Sequence, residues 1–186
     1  MNPKIFVISG PSGVGKSTVI SKLLEQDRNL FFSVSVTTRE KRPTETDGRD
    51  YHFITREKFL AMVERDELME HNDDYTSDCY GTPEPPVLRA LEIGRDVLLD
   101  IDPKGAMQVR ERRPDAVLIF LAPPSMEELR RRLVGRGDTA PEKIEARLKR
   151  AEWECSMKDR YDHVVINDNV DRAVQEILLL LLTGRT

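Results

Sequence analysis

The sequence has little of what marks a secreted, metal-binding or membrane protein. Its 186 residues include two cysteines, Cys79 and Cys155, which form no C-x-x-C pair, so neither a disulfide framework nor a thiolate metal site is expected. His52, His71 and His163 are scattered without metal-ligand spacing. The long apolar run at residues 177–182 is far too short to span a bilayer and reads as a core helix. No charged leader with an apolar core opens the chain, so a reduced, cytoplasmic protein with no membrane partner is expected. Excess positive charge is missing too. A formal net charge of -4 argues against a protein that binds nucleic acid through overall charge, although a local basic cleft stays open. With no internal repeat, low-complexity stretch or linker, one compact domain with insertions is expected.

What is present is concentrated in residues 4–18. A β-branched apolar run, residues 5–8, reads as a buried parallel strand, and Val19, Ile20, Leu23 and Leu24 mark a helix stripe after it. The loop between them, Gly10, Pro11, Ser12, Gly13, Val14, Gly15, Lys16, Ser17 and Thr18, fits G-x-x-x-x-G-K-[ST]. Glycines let backbone N–H groups turn inward around a phosphate, and the helix N-terminus adds partial positive charge. Lys16 then reaches the outer phosphates and Ser17 can ligate Mg²⁺. The expectation is a nucleoside triphosphate site.

Residues 31–36 read as a strand. Arg39 and Arg42 then leave it three residues apart and enter a polar segment that can grip an anion, although composition alone favours a solvated loop. Residues 51–54 look like a short strand, Thr55 can cap a helix carrying Phe59, Leu60 and Val63, and residues 68–70 resume an extended run. This describes a small α+β insertion over residues 35–82. Pro83, Pro85 and Pro86 fit a helix start that Gly94 ends. Residues 97–100 form an apolar strand ending in Asp100, the way a Walker B carboxylate faces Mg²⁺.

Residues 116–121 read as a further strand. Ser125 and Glu128 make a capping box for a helix in which Glu127–Arg131 and Glu128–Arg132 pair on a solvated face, so those arginines read as structural. Thr139 and Glu142 make a second capping box for a helix through Ile144, Arg147, Leu148 and Ala151. Arg136 and Arg147 reach one phosphate only if this flap folds over the loop; as bare sequence they are surface charges. Residues 164–166 form a last strand, and Asn169 caps a final helix. Such alternation predicts an α/β fold, a mostly parallel sheet with helices on both faces and nucleotide at the strand carboxyl ends.

In order along the chain, the phosphate loop, Ser35-Val-Thr-Thr-Arg-Glu-Lys-Arg, Gly48-Arg-Asp-Tyr-His-Phe, Glu70, Tyr80-Gly-Thr, Leu99-Asp-Ile-Asp, Pro123-Pro-Ser, Arg136-Gly and Ile144-Glu-Ala-Arg-Leu together resemble the guanylate kinase family. The resemblance implies a P-loop nucleoside monophosphate kinase. Its core would comprise residues 1–34, 83–123 and 151–186, with a GMP-binding insertion at 35–82 and a helical lid at 124–150. It further implies that Ser35, Arg39, Arg42, Tyr51 and Tyr80 hold the monophosphate, and that Glu70, Thr82 and one of Asp100 or Asp102, with Asp102 the candidate, read the guanine. Lys16, Arg39, Arg136 and Arg147 would be the catalytic set, and Asn167 would lie near the adenine of ATP.

The chemistry agrees. Guanine offers N1 and N2 donors that a carboxylate accepts and an O6 that wants a hydroxyl donor, while paired arginines and phenols suit a dianionic phosphate. Thr44, Pro103-Lys104 and Ser77-Asp78-Cys79 depart from the family pattern beside the acceptor site. The expected reaction is ATP-dependent phosphorylation of GMP, with dGMP included, by direct in-line transfer with Mg²⁺. The acceptor is already a phosphate oxygen, so no general base is sought. The expected state is a monomer or small homo-oligomer. A peptide-binding domain without turnover, a kinase of a phosphorylated sugar and a GTPase are the alternatives; the intact Lys16 and Ser17, Glu70 with Thr82, and the missing Asn-Lys-x-Asp motif speak against each in turn.

Overall fold

A computed structural model describes residues 3–72, 78–135 and 141–184. Strand β1 (Ile5–Ser9) is buried throughout. Its alternating side chains serve two cores: Phe6 and Ile8 join Val19, Ile20 and Leu23 of helix α1 (Lys16–Gln26) on one face, and Ile5 and Val7 join the opposite cluster. A strand buried on both faces reads as a continuous apolar run, which is why residues 5–8 show no polar alternation.

Around β1 the main sheet runs β2 (Leu30–Phe32), β7 (Asp96–Asp100), β1, β8 (Val117–Ala122), β9 (His163–Ile166), and every pairing is parallel. Helices α1 and α7 (Val170–Gly184) cover one face. Helices α3 (Glu84–Glu92) and α4 (Pro103–Arg112) cover the other through Val87, Ala90, Ala106 and Val109. Fully burying each large side chain here contributes roughly 1.5–3 kcal/mol. Among the described residues no helix is long and apolar enough to cross a membrane.

The insertion is a second sheet in the order β4 (His52–Phe53), β3 (Val36–Thr37), β6 (Tyr80–Pro83), β5 (Leu68–Asn72). Helix α2 (Arg56–Glu64) packs Phe59 against Val36, Leu68 and Cys79, and the Thr55 hydroxyl caps it by accepting from the Lys58 amide, as expected. The expected single strand over residues 31–36 is two strands in two sheets. The Ser33 amide makes a last bond to Leu98 of the main sheet, and Val36 then pairs with Gly81 and His52 in the insertion. Continuous β-propensity hides such a crossing, because it does not say which neighbour a strand pairs with.

Helix α4 went unrecognised in the sequence. Its signals were Asp102 as N-cap and Pro103 in the first turn. Helices α5 (Met126–Gly135) and α6 (Pro141–Ser156) bury Leu129, Leu133, Ile144, Leu148 and Ala151 against one another. Ser125 caps α5, but Arg131 pairs with Glu128 rather than with Glu127 as expected, alongside Arg132. Both Arg136 and the Thr139 cap lie outside the described residues.

Candidate active site

Helix α1 starts at Gly15, whose φ of 99° lies in the left-handed region, and no described side chain caps it. Its first-turn amides are therefore open to a ligand, at the positive end of the helix dipole. A Cβ on Gly15 would sit 2.7 Å from Asn167 Nδ2, so the glycine is required twice over. Asn167 lies just past β9, 2% exposed, and donates from Nδ2 to the Val14 carbonyl at 2.7 Å. The resemblance places Asn167 near adenine; in the structure its amide also braces the phosphate loop. Lys16 Nζ donates to the Gly10 carbonyl at 2.7 Å and stands 4.0 Å from Asp100 Oδ1. Ser17 lies one residue further along α1. Loss of hydration pushes the Asp100 carboxyl up from its usual range, while the Lys16 ammonium pulls it down.

Arg132, which the sequence reads as structural, reaches this loop. It donates to the carbonyls of Val14 at 3.3 Å and Asn167 at 3.0 Å, and Glu128 holds its Nε at 2.9 Å. That places a guanidinium from α5 beside the loop. Arg132→Ala should raise the ATP KM by about tenfold or more, since a hydrogen bond involving a charged group contributes roughly 1.5–3 kcal/mol. Initial rates against ATP at saturating acceptor check this; an unchanged ATP KM returns Arg132 to a purely structural role.

The polar segment after β3 is exposed over most of residues 40–50, yet its side chains are locally ordered. Arg39 forms a fork onto Glu45 at 2.7 and 3.1 Å and lies over the rings of Tyr51 and Phe53 at 5.6 and 5.7 Å. The hydrogen bond to Glu45 is the largest cause that holds the guanidinium above its ordinary pKa. Glu45 also accepts from the Arg42 amide at 2.9 Å, so one carboxylate, not singled out in the sequence, holds the Arg39 guanidinium and the Arg42 backbone. Tyr51 packs edge-on against Tyr80 at 5.8 Å. Burial, aided by the charge of Asp100, pushes the Tyr51 phenol to about 12, so it stays a donor. Ser35 sits between β2 and β3, its carbonyl accepting from the His52 amide at 2.9 Å.

Glu70 on β5 and Thr82 on β6 face each other in register, and both are buried. The Thr82 hydroxyl donates to Glu70 Oε1 at 2.6 Å. Burial raises the Glu70 carboxyl to about 7, with Thr82 opposing and the nearby charge of Asp102 adding to the rise. Asp102 caps α4 through the Gly105 amide at 2.9 Å and meets Arg150 of α6 at 3.4 Å. Of the two candidate acids, Asp102 is therefore the one beside Glu70, while Asp100 faces Lys16. Arg147 stands on the same helix as Arg150, half-buried.

The architecture thus brings a phosphate loop, a cationic and phenolic anion grip, and a buried carboxylate with a hydroxyl partner to one end of the main sheet. Residues 2–182 match the family model described as guanylate kinase. A guanylate kinase of Thermus thermophilus is 51% identical over 185 residues, covering 100% of this chain and 83% of the relative. One of Syntrophomonas wolfei is 48% identical, covering 100% and 95%. Among solved structures, the guanylate kinase of Anaplasma phagocytophilum superposes with a TM-score of 0.81 at 38% identity, covering 97% of this chain and 85% of that one.

Proposed function

Since the chain belongs to the guanylate kinase family, we propose that it phosphorylates GMP, and dGMP alike, with ATP as donor, by direct in-line transfer in the cytoplasm. The carrying observation is the pairing of buried Glu70 with buried Thr82 on the insertion sheet. A buried carboxylate with a raised pKa is costly to keep, and guanine's N1–H and N2–H₂ donors are its natural partners. When guanine supplies those donors, the Thr82 hydroxyl is released to turn toward O6.

Arg39, Arg42, Tyr51, Tyr80 and Ser35 take the GMP phosphate. The loop, Gly10 through Thr18, holds the ATP phosphates, with Asn167 bracing it and lying near the adenine. Lys16 supplies charge to the oxygens where it accumulates during transfer. Among the described residues no group of three or more His, Cys, Asp or Glu could form a metal cage. Ser17 and Asp100, one hydroxyl and one desolvated carboxylate, are instead a donor set suited to Mg²⁺ held mostly by phosphates and water. When bound there, Mg²⁺ would neutralise charge on the donor phosphates. No residue needs to act as general base. Arg136 and Arg147 complete the set from the lid.

ADP release measured over a panel of nucleoside monophosphates tests the assignment: GMP should be the preferred acceptor and IMP weaker, and AMP should be nearly inert. Comparable rates on AMP would overturn it. In the same assay Arg147→Ala should lower kcat by about 100-fold or more with a smaller change in GMP KM, because a lid residue meets the transferring group mainly when closed. A change confined to GMP KM would move Arg147 to the acceptor site.

A further inference from the structure

Gly105 occupies the first turn of α4, where glycine costs about 1 kcal/mol relative to alanine. Its backbone does not require it, for it lies outside the left-handed region that holds Gly13, Gly15, Gly48 and Gly94. What requires it is space. A Cβ built on Gly105 would lie 2.4 Å from Glu70 Oε2 and 3.0 Å from the carboxyl carbon. Ordinary carbon-to-oxygen contacts are about 3.3 Å or longer.

The two partners cannot drift apart. Gln108, one turn further along α4, accepts from the His71 amide at 3.0 Å and donates to the His71 carbonyl at 2.8 Å, which ties α4 to the residue next to Glu70. Arg112 ties the end of the helix to Asp66 at 2.6 Å. Asp102 fixes the start of the helix through the Gly105 amide itself. On the other side, Thr82 holds Glu70 Oε1. With backbone clamped at both ends, the movable atoms are those of the Glu70 carboxylate.

We infer that Gly105 is a positioning residue for base recognition: its missing side chain leaves the space that seats the Glu70 carboxylate opposite the guanine edge. The inference rests on Glu70 being the guanine acceptor. An added methyl would shift the carboxylate by about 1 Å, enough to spoil hydrogen-bond geometry while leaving the fold intact. The helix itself would gain from the substitution.

The test is Gly105→Ala, with Glu70→Gln and the double variant beside it, assayed on GMP, IMP and AMP and by thermal unfolding. Gly105→Ala should raise GMP KM at least tenfold and cut the GMP-over-AMP preference by a similar factor. Its ATP KM should stay within about twofold of the parent and its Tm should not fall. Added to Glu70→Gln, the same alanine should change selectivity far less, because it acts through that carboxylate. A folded Gly105→Ala enzyme with parental GMP KM and selectivity would overturn the inference, and so would loss of fold, since the carboxylate and not the helix is held to give way. If Glu70→Gln itself were as selective as the parent, the guanine reading would fail, and this inference with it. A selectivity loss in Glu70→Gln beside a silent Gly105→Ala would remove the inference alone.

Discussion

Replacing Lys16 by methionine should lower kcat by about 10²–10³-fold or more while leaving the protein folded. Lys16 makes one hydrogen bond to the loop, to the Gly10 carbonyl, and its ion pair with Asp100 is long and partly exposed. Losing them costs the fold on the order of 1 kcal/mol. The loss in rate is larger because, on the proposed assignment, the ammonium faces the transferring phosphoryl group where charge redistributes; deleting one such donor typically costs 10²–10³ in rate. The lysine also lowers the Asp100 pKa, so its removal should lift that carboxyl further. Turnover by ADP release and Tm by calorimetry check both halves. Near-parental turnover in a folded variant would remove Lys16 from the catalytic set.

The second large effect concerns Glu70. The enzyme should prefer GMP over AMP by about 10⁴-fold or more in kcat/KM, because a site built to hydrogen-bond its substrate rejects an analogue that leaves buried polar groups unpaired. Glu70→Gln should erase most of that preference with little effect on ATP KM. It should also stabilise the protein. Below about pH 4.5 the carboxyl is protonated in both folded and unfolded chains and costs nothing. Between there and about 7 the unfolded chain ionises first, so stability falls as pH rises, by about 3 kcal/mol once the folded value is passed. Glu70→Gln removes that loss, so its Tm should exceed the parent's at pH 8 and converge on it near pH 5. Recognition has the opposite sign, since the free enzyme must shed this proton to accept guanine's donors. GMP KM should therefore climb below pH 7 more steeply in the parent than in Glu70→Gln, which retains only the titration of the GMP phosphate near 6. Equal Tm at pH 8 would show that Glu70 is not held in a desolvated state.

The parts of this site that were legible in the sequence are those written in consecutive residues. The phosphate loop, its strand and its helix are contiguous, and the Thr55, Ser125 and Asn169 caps act within a single turn. The supporting contacts were not legible, because they join distant positions. Arg132 meets Val14 across 118 residues and Gln108 meets His71 across 37. Glu45 is close to Arg39 in sequence, yet nothing in a charged loop says which carboxylate will order it. Gly105 concealed α4 by lowering its helix propensity, and that same absence of a side chain places it against Glu70. Family resemblance named the groups proposed to touch substrate and was silent on the groups that hold them in place.

Three successive residues of β5 enter three different environments: Leu68 the insertion cluster, Met69 the main core and Glu70 the proposed base site beside Thr82. A one-residue slip in the pairing of this strand would exchange them, driving a carboxylate among apolar side chains and Met69 into the base pocket. Such a chain bears a desolvation cost of several kcal/mol, comparable to the whole stability of a domain this size, and does not accumulate. Errors of assembly that would yield a kinase blind to its base are thereby converted into chains that do not fold. Fidelity toward the nucleotide is inherited from fidelity of the hydrophobic register.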